Sequence, residues 1–250
     1  MKKTIILIHG VRGTHHGLGF IAGYLSAKYK VITPDLPGSG TRAELDDKTI
    51  DGYVEWLHSY ISNQKLKQKP YVVGHSMGSM VVSHYLEKYP DDTQYKTILM
   101  SPIFRSKFNQ TLSNIICTLL MIFLHLLPKS LRYCLLRSKF ISYCISHFLT
   151  YDKTQQESID QLHYRYSGRF SSADSIMADI KISMHKQTII PTDKDVLLII
   201  GDKDQLTSLK LAHKKAKKHH VAMKVIPNSG HLINYETPKQ VADAIDAFIS

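Results

Sequence analysis

One short segment constrains the fold of this 250-residue chain more than any other, the pentapeptide Gly-His-Ser-Met-Gly at positions 74–78. An apolar run at 71–73 precedes it, and residues 79–86 continue with the pattern of a helix. A serine between two glycines at a strand-to-helix junction fits a tight turn, because glycine lets the two elements approach closely. A chance match in a loop is the alternative, since a short motif needs confirmation from its surroundings.

Apolar runs alternate with helical patterns along most of the chain. Six runs predict strands, at 4–8, 31–33, 70–73, 97–100, 195–200 and 221–226. Strands that alternate with helices predict right-handed crossovers and a mostly parallel sheet with helices on both faces. The functional loops of such a sheet gather at the carboxyl ends of its strands. Gly10, Ser76, Gly201 and Gly230 all lie just past predicted strand ends.

The length suits one sizeable α/β domain, and 43% hydrophobic with 21% charged residues is a globular composition. The apolar run that starts at Thr4 is too short for a signal peptide and lacks a cleavage site of small residues, so we expect a first strand there. Three cysteines, an odd number without metal-ligand spacing, predict reduced and buried thiols in a cytoplasmic protein.

The alternation stops between residues 103 and 190, which predicts a helical cap inserted into a core formed by 1–102 and 191–250. A nearly uninterrupted apolar stretch, Ile115–Leu127, ends at Pro128, and a more amphipathic stretch continues to Leu149. Three interpretations remain open for the first stretch: a buried cap helix, an anchor on a membrane surface, or a membrane span. Its limited length and polar start argue against a span.

The formal net charge is +11, and its distribution is uneven. Residues 93–151 contain no acid and seven bases: Lys96, Arg105, Lys107, Lys129, Arg132, Arg137 and Lys139. A basic, apolar segment suggests peripheral contact with an anionic membrane. A second basic run at 214–220 lacks interleaved aromatic residues, so we interpret it as a solvated helix face and expect no nucleic-acid partner.

A nucleophilic serine needs a base, and the base needs a carboxylate that holds it in the right tautomer. The fifth strand is followed by Gly-Asp-Lys-Asp at 201–204, and the sixth by Ser-Gly-His at 229–231. Both Asp202 and Asp204 are candidates for the carboxylate that holds the histidine. Asp35 also follows a strand, and we expect it to fix its own loop through hydrogen bonds.

The histidine pairs 15–16 and 219–220 have no third ligand nearby, so we assign no metal.

These motifs, together with Ile-Leu-Ile-His-Gly at 6–10 and Thr-Pro-Asp-Leu-Pro-Gly-Ser-Gly at 33–40, resemble the α/β-hydrolase superfamily over nearly the whole chain apart from the insertion. The resemblance implies Ser76 as nucleophile, His231 as general base and acid, and Asp204 as the orienting carboxylate. It also implies an oxyanion hole made by the backbone N–H groups of Val11 and Met77, and no cofactor.

The expected function is that of a serine hydrolase that cleaves carboxylic esters through an acyl-enzyme. An apolar cap whose residues 103–151 contain no acid favours apolar acyl chains, as in a carboxylesterase or a monoacylglycerol or lysophospholipid lipase. The same three residues serve other reactions, namely hydrolysis of carbon-carbon bonds or thioesters, and acyl transfer. A non-catalytic ligand receptor on the same fold is an alternative of another class, although a pure binder has no need of the three residues together.

Overall fold

The computed structural model describes residues 2–166 and 170–250. Within these residues, parallel strands form a six-stranded sheet in the order β2-β1-β3-β4-β5-β6. The strands are β1 (Thr4–Ile8), β2 (Lys30–Ile32), β3 (Tyr71–His75), β4 (Lys96–Met100), β5 (Asp195–Gly201) and β6 (Ala222–Ile226). The predicted α/β-hydrolase fold with a parallel sheet is confirmed.

Alternate residues of each strand enter two separate apolar layers, which explains why the strands are continuous apolar runs. Ile6 and Ile8 pack with helices α2 (Ile50–Asn63), α3 (Met77–Lys88) and α9 (Leu209–His219) on one face. Ile5 and Leu7 pack with α1 (Gly19–Ser26) and α11 (Pro238–Ile249) on the other. The short helix α10 (Ile233–Glu236) precedes α11, and single 3-10 turns lie at His15–Leu18, Pro90–Asp92 and Lys153–Gln155.

The order of the strands reverses direction at β1, because β2 lies on one side of it and β3 on the other. Parallel α/β sheets bind ligands in the crevice at such a switch point, beyond the carboxyl ends of the strands. Ile8 pairs with Gly74 across this boundary, so the loop after β1 lies beside the pentapeptide. The topology therefore places these two motifs together.

In the part of the chain between β4 and β5 that the structure describes lie five α-helices: α4 (Lys107–Leu126), α5 (Lys129–Leu136), α6 (Lys139–Leu149), α7 (Gln156–Tyr166) and α8 (Ala173–His185). Serine side chains cap three of their N-termini, since Ser106, Ser138 and Ser172 each accept a backbone N–H three residues further on. We call residues 103–190 the insertion. The division of the chain into a core and a cap at these boundaries stays a prediction.

Helix α4 is largely exposed, which contradicts the first of the three interpretations, a buried cap helix. Only Ser113, Cys117 and Leu124 of this helix are buried. By length and composition α4 is the one described helix that could cross a membrane, which is weak evidence taken alone. The cysteine prediction is also partly wrong, because Cys117 is buried but Cys134 and Cys144, on α5 and α6, are exposed; all three are free thiols.

Candidate active site

Ser76 occupies the turn between β3 and α3 with φ 55° and ψ −119°, a backbone conformation that non-glycine residues rarely adopt. Two glycines make the turn possible. A Cβ atom at Gly74 would clash with the carbonyl of Gly78, and one at Gly78 would clash with the carbonyl of Ile8. The Ser76 N–H donates to the Met100 carbonyl at 2.9 Å, which ties the turn to β4.

The structure brings the three predicted catalytic side chains into one hydrogen-bonded chain. Nε2 of His231 lies 2.9 Å from the Ser76 hydroxyl, and Nδ1 lies 3.0 and 2.9 Å from the two carboxylate oxygens of Asp204. With the proton on Nδ1, the imidazole can accept the serine proton at Nε2. The His231 and Asp204 side chains are almost fully buried, so the hydrogen bonds between them are shielded from water.

Asp204 is the carboxylate that contacts His231. It also accepts the N–H groups of Leu206 and Thr207 at 2.8 and 2.9 Å. Burial raises the pKa of Asp204, but the charge of His231 and these hydrogen bonds outweigh burial and hold that pKa below its ordinary value. Asp202, the alternative, instead accepts the Ser229 N–H at 3.3 Å and lies 3.6 Å from Lys203 Nζ.

Two residues that the sequence did not single out hold the carbonyl of His231. Nε2 of His75 lies 3.1 Å from that oxygen, and the Ser101 hydroxyl donates to it at 3.2 Å. Burial, and then the charge of His231, lower the pKa of His75 to about 3. His75 is therefore a neutral ring at neutral pH and donates from Nε2. In the sequence, the position of His75 inside the pentapeptide could have indicated a role at the site. For Ser101 the only indication was its position directly after a predicted strand.

Glu236 braces the loop that carries His231. Its carboxylate is buried and accepts three backbone N–H groups, from Gly230 at 2.8 Å, Tyr151 at 2.8 Å and Asp152 at 2.9 Å. The His231 N–H donates to the Leu149 carbonyl at 2.9 Å. The end of α6 is thus bonded directly to the histidine loop. Nothing in the local sequence around Glu236 signals this role, because its partners come from distant segments.

The predicted oxyanion donors are Val11, in the loop after β1, and Met77, the first residue of α3. Among the described residues neither backbone N–H has a hydrogen-bond acceptor. The N–H of Met77 belongs to the first turn of α3, where helices leave donors unpaired and favour negative charge. The role of both groups in holding an oxyanion stays a prediction.

The loop after β1 is fixed from two sides. His9 contacts the Gly10 carbonyl through Nδ1 at 2.9 Å and accepts the Leu36 N–H at Nε2, also at 2.9 Å. Asp35 accepts the His15 N–H at 2.6 Å and also contacts the His15 ring. Asp35 therefore makes side-chain hydrogen bonds, as expected, but they go to the loop after β1 and not to its own loop.

A cavity of about 750 Å³ lies beside Ser76 and His231, between the strand ends and the insertion. Much of its wall is apolar, with contributions from three insertion helices: Leu112, Ile116, Ile145, Phe148, Ile180 and Met184. Arg12 and Arg105 also line it, and Asp204 is the one acid among its described lining residues. Ser76, His231 and Asp204 therefore lie in the wall of a cavity that is otherwise largely apolar and contains two arginines.

The chain belongs to the alpha/beta hydrolase family, whose model matches residues 5–244. Human monoacylglycerol lipase ABHD6 is 34% identical over 94 residues, which are 36% of this chain and 28% of that protein. Phospholipase YtpA of Bacillus subtilis is 30% identical over 104 residues, 40% of each chain. The matched part is therefore well under half the length of these relatives.

The likeness in three dimensions extends over the whole chain. A thermophilic esterase from Thermogutta terrifontis superimposes with a TM-score of 0.77 at 20% identity, over 100% of this chain and 90% of the esterase. A bromoperoxidase from Bacillus anthracis gives 0.78 at 18% identity, over 100% and 92%. At such identities the likeness establishes the fold, and the reaction has to be argued from the site.

Proposed function

We propose that this protein is a serine hydrolase that cleaves carboxylic esters through an acyl-enzyme. The observation that carries the proposal is the hydrogen-bonded chain from Ser76 through His231 to Asp204. Relatives named as a lipase and a phospholipase, and a structural neighbour named as an esterase, support the reaction class.

In the proposed reaction, the Ser76 oxygen attacks the ester carbonyl while His231 Nε2 takes its proton. The oxyanion that forms is stabilised by the N–H groups of Val11 and Met77. His231 then protonates the leaving alcohol, and a water molecule activated in the same way releases the acid. Asp204 remains ionised throughout because its contacts favour the charged form, and it stabilises the imidazolium.

The apolar wall supports an ester with an apolar acyl chain as the substrate class. Leu112, Ile116 and Phe148 line the cavity that contains Ser76, and its volume lies within the range of small-molecule sites. The proposal needs no cofactor, since attack, proton transfer and oxyanion stabilisation all come from the chain. Other acyl-transfer chemistry is tested by analysing products in the presence of competing alcohols and thiols.

The direct test compares Ser76→Ala with Ser83→Ala, because Ser83 is a buried serine on α3, the helix that follows Ser76, and donates to the Met80 carbonyl. We expect Ser76→Ala to lower kcat on a medium-chain p-nitrophenyl ester by about 1,000-fold or more. Ser83→Ala should retain activity within about threefold. A fluorophosphonate should label the native protein and not the Ser76 variant. Unchanged hydrolysis by Ser76→Ala would contradict the assignment, and failure to label would favour a receptor.

We further propose that the protein works at an anionic membrane surface, which the insertion contacts. The observation behind this second proposal is the exposed face of α4. Eight large apolar side chains of this helix are exposed: Phe108, Leu112, Ile115, Ile116, Leu119, Ile122, Phe123 and Leu126. Apolar patches of this kind are uncommon on monomeric soluble proteins unless they bind something. Surrounding bases and the lack of acids from 93 to 151 complement anionic lipid headgroups.

Co-sedimentation with vesicles tests this contact. The protein should bind vesicles that contain phosphatidylserine, bind less as NaCl is raised, and bind pure phosphatidylcholine weakly. Phe108→Gln should weaken binding, because this side chain is 77% exposed on α4. The control is Phe20→Gln, which removes an exposed phenylalanine from helix α1 of the core. No binding at low salt, or equal loss in both variants, would reject the membrane contact.

A further inference from the structure

Arg12 is a buried cation in the wall of the cavity. Its side chain is only 3% exposed. One terminal nitrogen donates to the Leu136 carbonyl and the other to the Ser142 hydroxyl, at 2.8 Å for the latter. Its Nε–H group has no acceptor among the residues that the structure describes. Within the described ranges 2–166 and 170–250, no Asp or Glu forms an ion pair with this guanidinium.

Burial of a charge is costly unless an opposite charge compensates it. The two acceptors from the insertion are neutral and engage two of the five guanidinium N–H groups. Burial lowers the pKa of Arg12 to about 10, so the group still carries its charge at neutral pH. A role in holding the insertion to the loop after β1 therefore explains two hydrogen bonds of Arg12. It does not explain why a positive charge is buried there without a negative one in the described part of the chain.

The position of Arg12 connects this charge to the reaction. Arg12 directly follows Val11, the proposed oxyanion donor, and lines the same cavity as Ser76. The one acid among the described lining residues, Asp204, is already bonded to His231. Arg105 is a second guanidinium in the wall; it is half-buried and donates to the Lys186 carbonyl at 3.3 Å. The electrostatic environment of the cavity is therefore positive.

We propose that Arg12 forms an anion subsite that binds a carboxylate or phosphate group carried by the ester substrate. The preferred substrates are then anionic amphiphiles, whose apolar chain lies against residues such as Ile116 and Phe148 while the negative group pairs with Arg12. A planar guanidinium suits both anions, because its donors match two oxygens of a carboxylate or phosphate. This subsite rests on the proposed ester hydrolase function and adds a substrate class to it.

A purely structural role for Arg12 makes a different prediction. If Arg12 only holds α5 and α6 to the loop after β1, its replacement should disturb neutral and anionic esters alike. If it binds the substrate anion, its replacement should remove the preference between them. The deciding quantity is therefore the ratio of kcat/KM for two matched esters, measured for each variant.

Two ester pairs distinguish the sources of the anion. Mono-p-nitrophenyl adipate against p-nitrophenyl hexanoate tests a carboxylate on the acyl chain. A lysophosphatidate against the monoacylglycerol with the same acyl chain tests a phosphate on the alcohol. The native protein should prefer the anionic member of at least one pair by about 10- to 100-fold, mainly through KM, as expected for a charge-assisted hydrogen bond.

Three variants complete the experiment. Arg12→Gln should abolish the preference, Arg12→Lys should keep part of it because the charge remains, and Arg105→Gln should retain most of it. Should Arg12→Gln not fold, Arg12→Lys against Arg105→Gln still decides the question. The subsite is overturned if the native protein shows no preference in either pair, if Arg12→Gln keeps it, or if Arg105→Gln alone loses it. Cleavage of the neutral esters, lost in Ser76→Ala, reports separately on the proposed function.

Discussion

The sheet core and the insertion place their apolar residues in opposite environments. Leu99 and Leu198, on neighbouring strands, are fully buried between two layers of helices, whereas Leu119 and Leu126 of α4 are 63% and 78% exposed. Both regions are rich in apolar residues, so composition alone does not decide burial. In the core, helices cover both faces of the sheet; α4 is covered on one side only. The apolar surface of the insertion therefore needs an explanation outside the fold, and the proposed substrate and membrane contacts provide one.

The largest effect we expect separates two acids of the same core loop. Asp204→Asn should lower kcat by about 10,000-fold, because an amide no longer holds His231 in the tautomer that accepts the serine proton. Asp202→Asn is the matched control and should change kcat by less than about threefold, since its carboxylate contacts Ser229 and Lys203 instead. Similar losses in both variants would contradict the assignment of Asp204, and not Asp202, as the carboxylate that orients His231.

A pair of leucine substitutions measures the contrast between the two regions directly. Leu198→Ala should lower the free energy of unfolding by about 2 to 5 kcal/mol, because it leaves a cavity in a fully buried layer. Leu119→Ala should change it by less than about 0.5 kcal/mol, since that side chain is mostly exposed. Urea denaturation of both variants provides the measurement. A large loss with Leu119→Ala would mean that α4 is covered in solution, for example by a second copy.

Asp179 joins the two regions, because this buried residue of α8 accepts the Tyr53 hydroxyl of α2 at 2.6 Å. Burial raises its pKa to about 7, an effect that the hydrogen bond from Tyr53 only partly opposes. The folded carboxyl therefore holds its proton more tightly than the unfolded one, and stability falls as the pH rises from about 4 to 7.

Asp179→Asn should remove this penalty while keeping an oxygen for Tyr53. We expect the variant to be more stable than the native protein by about 1 to 4 kcal/mol at pH 8, with the difference vanishing near pH 4. Asp174→Asn, on the exposed first turn of α8, is the control and should show no such pH dependence. Thermal denaturation over this pH range tests the sign. A native protein that is more stable than Asp179→Asn at pH 8 would contradict it.

The smallest effect concerns Glu236, whose carboxylate bonds to backbone on both sides of the boundary between core and insertion. Glu236→Gln replaces one accepting oxygen by an N–H₂ group, so at least one backbone donor loses its partner. We expect kcat/KM to fall by about tenfold or less because the His231 loop loosens. Glu157→Gln, an exposed acid on α7, is the control. Equal kcat/KM values for the two variants would show that Glu236 does not help to position His231.

Local patterns were sufficient to predict the sheet and its turns. The strand at residues 4–8, for example, follows from its apolar run. The turn at Ser76 follows from the two glycines that its close packing requires. Five motifs in one order also predicted which serine, acid and histidine would meet. In each case the information lies within a few neighbouring residues.

Features that depend on distant partners were not predictable. Glu236 meets Tyr151, and Asp179 meets Tyr53, across more than eighty residues, and neither contact leaves a local pattern. The exposure of α4 was missed for a related reason. An apolar helix has the same sequence whether other helices, a membrane or solvent cover it. Tertiary packing decides between these environments.

The bond between the His231 N–H and the Leu149 carbonyl limits how the enzyme can admit a substrate. If the insertion swung outward from the end of α6, it would break this bond and pull on the two N–H groups held by Glu236. Such a motion would disable the proposed base at the moment of entry. Entry through side-chain movements along α4, away from Leu149, leaves the base in place. The insertion would then stay fixed over the cavity, and the substrate would enter through an opening between its side chains.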